Sequence, residues 1–155
     1  MIEPLTLSYE IQCPPEHAFE VWTTRLSSWW PKGHSASGDP ETSVFLEPRL
    51  GGRIYERTSD GTEIDWGVIT DWNPPHRLGY LWHIARSRDD ATNVDLAFVD
   101  LGDGTTRLEI VHTGWERLGT DGTSFREANT AGWSALMPRF IAAAEGRDDG
   151  SGRHT

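Results

Sequence analysis

One cysteine, Cys13, and one lysine, Lys32, stand in 155 residues, and each scarcity removes a class of explanation. Cys13 cannot pair within the chain, and no Cys/His cluster of zinc-binding spacing exists, so the composition suits a reducing compartment and a cytoplasmic location is expected. The start, Met1-Ile2-Glu3-Pro4-Leu5-Thr6, lacks the basic segment and apolar run of a signal peptide. No apolar stretch approaches the roughly 20 residues that cross a bilayer, so no membrane role is expected. Basic charge is short too: 14 Lys+Arg face 24 Asp+Glu, a formal charge of −10. Such a surface repels phosphate backbones, which argues against a nucleic-acid partner. There is no G-x-S-x-G, no G-x-G-x-x-G after a strand, no phosphate-binding G-x-x-x-x-G-K-[ST] and no H-E-x-x-H. Neither a cofactor nor a metal is therefore expected. His34 lies beside Ser35 and Ser37, but loop neighbours do not make a triad, whose geometry a rigid scaffold must set.

What the chain has in excess is tryptophan, eight of them. Each buries ~150–250 Å² when packed, so aromatics must carry much of the core or line a cavity. The length fits one domain, expected over residues 1–144, while residues 145–155 hold no aliphatic or aromatic side chain beyond Gly and read as a disordered tail.

Leu5, Leu7, Tyr9 and Ile11 alternate with Thr6, Ser8 and Glu10, which predicts a strand. Pro14-Pro15-Glu16 then opens a short helix to about Thr23, and Leu26, Trp29 and Trp30 continue helical spacing until Pro31. Lys32 to Asp39, rich in Gly and Ser, reads as a mobile lid. Strands follow at Ser43–Leu46, Arg53–Arg57, Glu63–Trp72, Arg77–Ile84, Val94–Phe98 and Leu108–His112, separated by turn signals. Ala85–Asn93 reads as a loop. Ser124-Phe125-Arg126-Glu127 is a capping-box pattern ahead of a helix to about Ala144, with Phe125, Ala128, Gly132, Trp133, Leu136, Phe140 and Ala143 as its stripe. Pro138 predicts a kink or break. The fold class is α+β: a roughly seven-stranded antiparallel sheet curled around a long C-terminal helix, with two short helices after the first strand and a ligand cavity in the space left over.

His112 shares parity with Leu108 and Ile110 and should point inward. A buried neutral imidazole bonded to a carbonyl or tryptophan ranks ahead of a ligand-binding or catalytic role, though both stay open. His83 falls on the parity opposite Tyr80, Trp82 and Ile84 and is expected in solvent. Trp66 and Trp72 share one face with Val68. Trp22, Trp66, Trp82 and Trp133 read first as core, whereas Trp29, Trp30 and Trp115 flank loops where an indole can close over a ligand. Arg49, Arg53 and Arg57 form either an anion-binding stripe or solvated charges paired with acids, the second being favoured. Gly51-Gly52 marks a turn or bulge.

Trp22-Thr23, Trp29-Trp30-Pro31, Pro48-Arg49-Leu50-Gly51-Gly52-Arg53, the stretch from Trp66 to Leu78, Val111-His112-Thr113-Gly114-Trp115 and Gly132-Trp133 together resemble the family of heat-shock-protein-90 ATPase activator homologues. The resemblance runs from about residue 7 to residue 144. It implies the START-like, or SRPBCC, helix-grip fold, whose members include lipid carriers, hormone receptors, and polyketide aromatases and cyclases. The co-chaperone behind the family's name joins such a domain to a separate N-terminal one, for which 155 residues leave no space, so a chaperone partner is not expected. Stand-alone members look like bacterial small-molecule or stress-associated proteins. The leading expectation is thus an intracellular protein binding a small apolar or aromatic ligand, with Trp29, Trp30, Arg49, Tyr55, Trp66, Trp82, His112, Trp115 and Trp133 as candidate contacts. The alternatives are a cyclase, dehydratase or hydrolase, with His112 as acid/base and Tyr55 or Arg49 polarising a carbonyl, and a chaperone-binding module. A homodimer is left open.

Overall fold

The structure, a computed structural model, describes residues 2–31, 35–84 and 90–146. Seven strands form one antiparallel sheet in the order β1-β7-β6-β5-β4-β3-β2. They are β1 (Leu5–Ile11), β2 (Ser43–Leu46), β3 (Arg53–Arg57), β4 (Glu63–Asn73), β5 (Arg77–Trp82), β6 (Thr92–Gly102) and β7 (Thr105–Thr113). Two short helices, α1 (Pro15–Trp22) and α2 (Leu26–Trp29), follow β1, and a 3-10 segment, Trp115–Asp121, leads into the closing helix α3 (Gly122–Ala144). This is the curled sheet and long terminal helix of the helix-grip fold.

Period-two patterning builds most of the sheet. Leu5, Leu7, Tyr9 and Ile11 face His112, Ile110, Leu108 and Thr106 across the β1–β7 ladder. The β6–β7 hairpin turns through Gly102, Asp103 and Gly104, all at positive φ, a conformation that glycine adopts without strain. In β4 the alternation is interrupted twice: register shifts fall opposite Ile54/Tyr55 and between Ile69 and Asp71. Trp66 and Ile69 are therefore both buried although their parities differ, while Val68, expected on the Trp66 face, is only half-buried. Gly67 sits between the bulges, and a Cβ there would meet the Leu81 carbonyl oxygen at 2.0 Å, so the β4–β5 pairing requires glycine.

Four expectations need correction. β5 ends at Trp82 rather than Ile84. His83, whose N–H is donated to the Trp66 carbonyl at 2.7 Å, is buried rather than solvated, because strand parity lapses where the strand stops. The capping box is not formed either: α3 starts earlier, at Gly122, and the Ser124 hydroxyl donates to the Asp121 carbonyl instead of receiving a backbone N–H. Helix α3 also runs on through Pro138 as one element.

The two halves of α3 differ. From Trp133 onward it buries Leu136, Met137, Phe140, Ala142 and Ala144 against the core, while between Thr123 and Gly132 no residue is fully buried and Ala128 is exposed. The first half instead adjoins the 3-10 segment. No helix among the described residues is long and apolar enough to cross a membrane. The expected lid is described only from residue 35, and the loop expected over Ala85–Asn93 and the tail expected from residue 145 lie largely outside the described residues.

Candidate functional site

Where the buried half of α3 gives way to the exposed half, an open pocket of about 80 Å³ lies between Trp30, Trp82, Asn129, Gly132, Trp133 and Leu136. The loop after α2 supplies Trp30, the end of β5 supplies Trp82, and one face of α3 supplies the rest. Gly132 keeps this space open, since a Cβ built there meets nothing within 4 Å. None of the six lining side chains titrates. Asn129 is the polar one, and its Nδ2 donates to the Phe125 carbonyl of its own helix at 2.9 Å.

The indole walls are held from behind by two polar centres. The first is His112, fully buried on β7. Trp133 Nε1 lies 3.1 Å from His112 Nδ1, and Thr92 Oγ1 lies 2.7 Å from His112 Nε2. An indole N–H can only donate, so Nδ1 accepts and the ring proton sits on Nε2. That proton goes to the Thr92 hydroxyl, which in turn donates to the Trp82 carbonyl at 3.3 Å. A chain of hydrogen bonds thus ties the Trp133 wall to the Trp82 wall through a neutral imidazole. Burial lowers the His112 pKa to about 3, which keeps it neutral. Its ring packs on Trp115 at 4.2 Å between centroids, and Trp115 Nε1 donates to the His112 carbonyl.

The second centre is Glu56, equally buried, on β3. Its Oε1 accepts the Ala36 N–H and Trp66 Nε1–H, both at 2.7 Å. Its Oε2 accepts the Ser37 hydroxyl at 2.6 Å, the Thr42 hydroxyl at 3.1 Å and the Ser37 N–H at 3.4 Å. Burial alone would raise its pKa, but the donors from Ser37, Trp66, Ala36 and Thr42 outweigh burial and hold the carboxyl below its usual value. Trp66, so anchored, packs against Trp30 and Trp82 at 5.2 and 5.7 Å. The same carboxylate pins residues 36 and 37, so this part of the expected lid is tied to the sheet.

Of the residues named from sequence, Trp30, Trp82 and Trp133 line the pocket. Trp29 and Trp66 back it: Trp29 is buried, not at a mouth, and donates its Nε1–H to the Val21 carbonyl at 2.8 Å. His112 and Trp115 lie behind Trp133. Arg49 and Tyr55 are not brought to the site. Tyr55 alternates with the inward Ile54 and Glu56 and so faces the other side of the sheet, stacking on Phe45 beneath the Arg53 guanidinium. Arg49 is exposed beside Glu47. Arg53 pairs with Glu47, Glu63 and Asp65, and Arg57 with Glu63, so the arginines form no anion stripe. The acid/base constellation of His112 with Tyr55 or Arg49 is therefore not assembled. Glu56 and Asn129 were missed. Parity does place Glu56 beside Ile54, but a lone acid reads as surface; Asn129 carries no sequence signal. Among the described residues no group of three or more His, Cys, Asp or Glu side chains could hold a metal ion.

The sequence profile of the activator of Hsp90 ATPase homolog 1-like proteins matches residues 12–145. The chain belongs to this family. A search of curated proteins returns no match. Among solved structures, this member of the activator of Hsp90 ATPase homolog 1-like family is 34% identical to Txn09, an anthrahydroquino-γ-pyrone synthase, with a TM-score of 0.65 over 92% of this chain and 97% of that one. Protein MLL2253 from Mesorhizobium loti is 18% identical, with a TM-score of 0.70 over 94% of this chain and 99% of that one. An HSP90 activator from Plasmodium falciparum, PFC0360w, is also 18% identical, with a TM-score of 0.63 over 94% and 97%. The last two likenesses are likenesses of fold.

Proposed function

We propose that the chain binds an oxygenated, planar aromatic molecule, one ring of which enters the pocket between Trp30, Trp82 and Trp133. The observation that carries this reading is the 34% identity, over nearly the whole of both chains, to an anthrahydroquino-γ-pyrone synthase. The geometry supports it: three indoles and Leu136 offer apolar faces, and the small open volume suits a ring entering while the rest of a polycycle stays at the mouth. Calorimetric titration with 2-hydroxyanthraquinone tests it. Saturable binding with negative ΔCp is expected, and Gly132→Phe, which fills the open space beside α3, should abolish it. Heat unchanged by Gly132→Phe would place the ligand elsewhere and defeat the reading.

A second reading, ring closure on such a ligand, is favoured by the same relative. No lining side chain titrates, so the contribution of this pocket would be to hold a phenol oxygen near the carbon it attacks. The probe is 1-(2-hydroxyphenyl)-1,3-butanedione: its phenol oxygen adds to the distal ketone carbon, and loss of one water from the hemiketal gives 2-methylchromone. Acceleration above the buffer rate that is lost in Gly132→Phe is the expected result; an unaltered buffer rate leaves binding alone.

A further inference from the structure

Four of the five buried tryptophans place the indole N–H on a protein acceptor at hydrogen-bond distance. Trp29 donates to the Val21 carbonyl, Trp66 to Glu56, Trp115 to the His112 carbonyl and Trp133 to His112 Nδ1. Trp82, half-buried in the pocket wall, does not: its N–H has no partner among the described residues. On the facing helix, the bond from Asn129 Nδ2 to the Phe125 carbonyl fixes the amide, because the flipped amide would set two oxygens together. Asn129 Oδ1 then has no partner among the described residues either. The lining of this otherwise apolar, open pocket thus includes one donor on the β5 wall and one acceptor on the α3 wall without a protein partner among the described residues.

We propose that Trp82 Nε1–H and Asn129 Oδ1 act as a donor and acceptor pair selecting aromatic ligands that carry both a carbonyl and a hydroxyl free to donate. This rests on the aromatic-ligand reading above and adds to it the polar pattern of the ligand. Trp82 donates to the carbonyl oxygen, and Asn129 accepts the hydroxyl proton. A ligand lacking either group leaves a protein group dry and unpaired, which disfavours it by about tenfold per missing bond.

The test uses three probes: 2-hydroxyanthraquinone, its methyl ether 2-methoxyanthraquinone, and 2-hydroxyanthracene, which lacks the carbonyls. Wild type should bind the first about tenfold more tightly than either of the others. Asn129→Ala should erase the preference over the methyl ether alone, Asn129→Asp should preserve it, and Trp82→Phe should erase only the preference over 2-hydroxyanthracene. Each preference is a ratio measured on one protein sample, so partial unfolding of a variant does not shift it. Equal affinities for all three probes, or preferences that survive both removals, overturn the polar pair while the aromatic pocket stands. Absence of binding by every probe overturns the aromatic-ligand reading and the pair with it.

Discussion

Two ionisable groups are sealed behind different walls of the pocket, and the protein keeps them in opposite charge states. Glu56 is surrounded by donors and stays an anion with no cation beside it among the described residues; His112 has one donor and one acceptor as neighbours and stays neutral. Burial acts on both in the same sense, against charge, and what differs is the supply of hydrogen bonds aimed at the charged form. Their tasks differ accordingly. Glu56 fastens a loop and Trp66 to the sheet, while His112 relays a hydrogen bond from the helix wall to the β5 wall.

The sharpest way to break this contrast is to delete Glu56. Glu56→Ala leaves the donors of Ala36, Ser37, Thr42 and Trp66 without their acceptor, and a loss of about 3–5 kcal/mol in chemical denaturation is expected. A loss below 1 kcal/mol would show that water replaces the carboxylate and that the site is not dry.

Acidification separates the two groups by window. The folded pKa of His112, about 3, lies below its ordinary 6.5, so the unfolded chain takes up the proton first; the contribution of His112 is full above about 6.5 and fades as pH falls toward 3. Glu56 is also lowered, but from 4.5, so its contribution is lost only below that value, as pH falls through its folded pKa. Between pH 6.5 and 5, then, wild type should lose about 2 kcal/mol more stability than His112→Gln. Parallel urea-midpoint curves for the two proteins across that range would mean that the imidazole is not held neutral.

A smaller cut sharpens the relay. Thr92→Val keeps the shape but removes the acceptor for the Nε2 proton, with an expected cost of about 1–2 kcal/mol by thermal melting. A nil cost would show that the Thr92 hydroxyl is not the partner that satisfies Nε2, and the relay between the two walls would fall. Least in size is Gly132→Ala, which fills open space on a helix and should stabilise by about 0.5–1 kcal/mol. A lower melting temperature would mean the pocket wall moves into that space.

The sheet was legible because period-two alternation survives through β1, through β7 and in β6 as far as Asp100, where the register shifts only at the strand's end. It failed in β4 and after β5, where bulges and a strand end change which side chains face in without changing the letters. Trp30, Trp82 and Trp133 were legible as bulky residues that must be covered by something. Asn129 and Glu56 were not, since their roles depend on which groups meet them from segments far away in sequence. Tyr55 and Arg49 illustrate the reverse: their chemistry suits the polarising of a carbonyl, but the alternation of β3 sends Tyr55 to the other face and Arg49 lies exposed beside Glu47.

The aromatic packing has an optical consequence. Trp22, Trp29, Trp30, Trp66, Trp82 and Trp133 are linked by successive ring contacts of 5.2 to 6.0 Å between centroids. At such separations an absorbed photon's energy passes between indoles before it is emitted, so these six behave as one antenna encircling the pocket. A quinone seated at Trp82 would darken all of them together, while Trp115 and Trp72, joined to the rest only through other rings, would supply the residual glow.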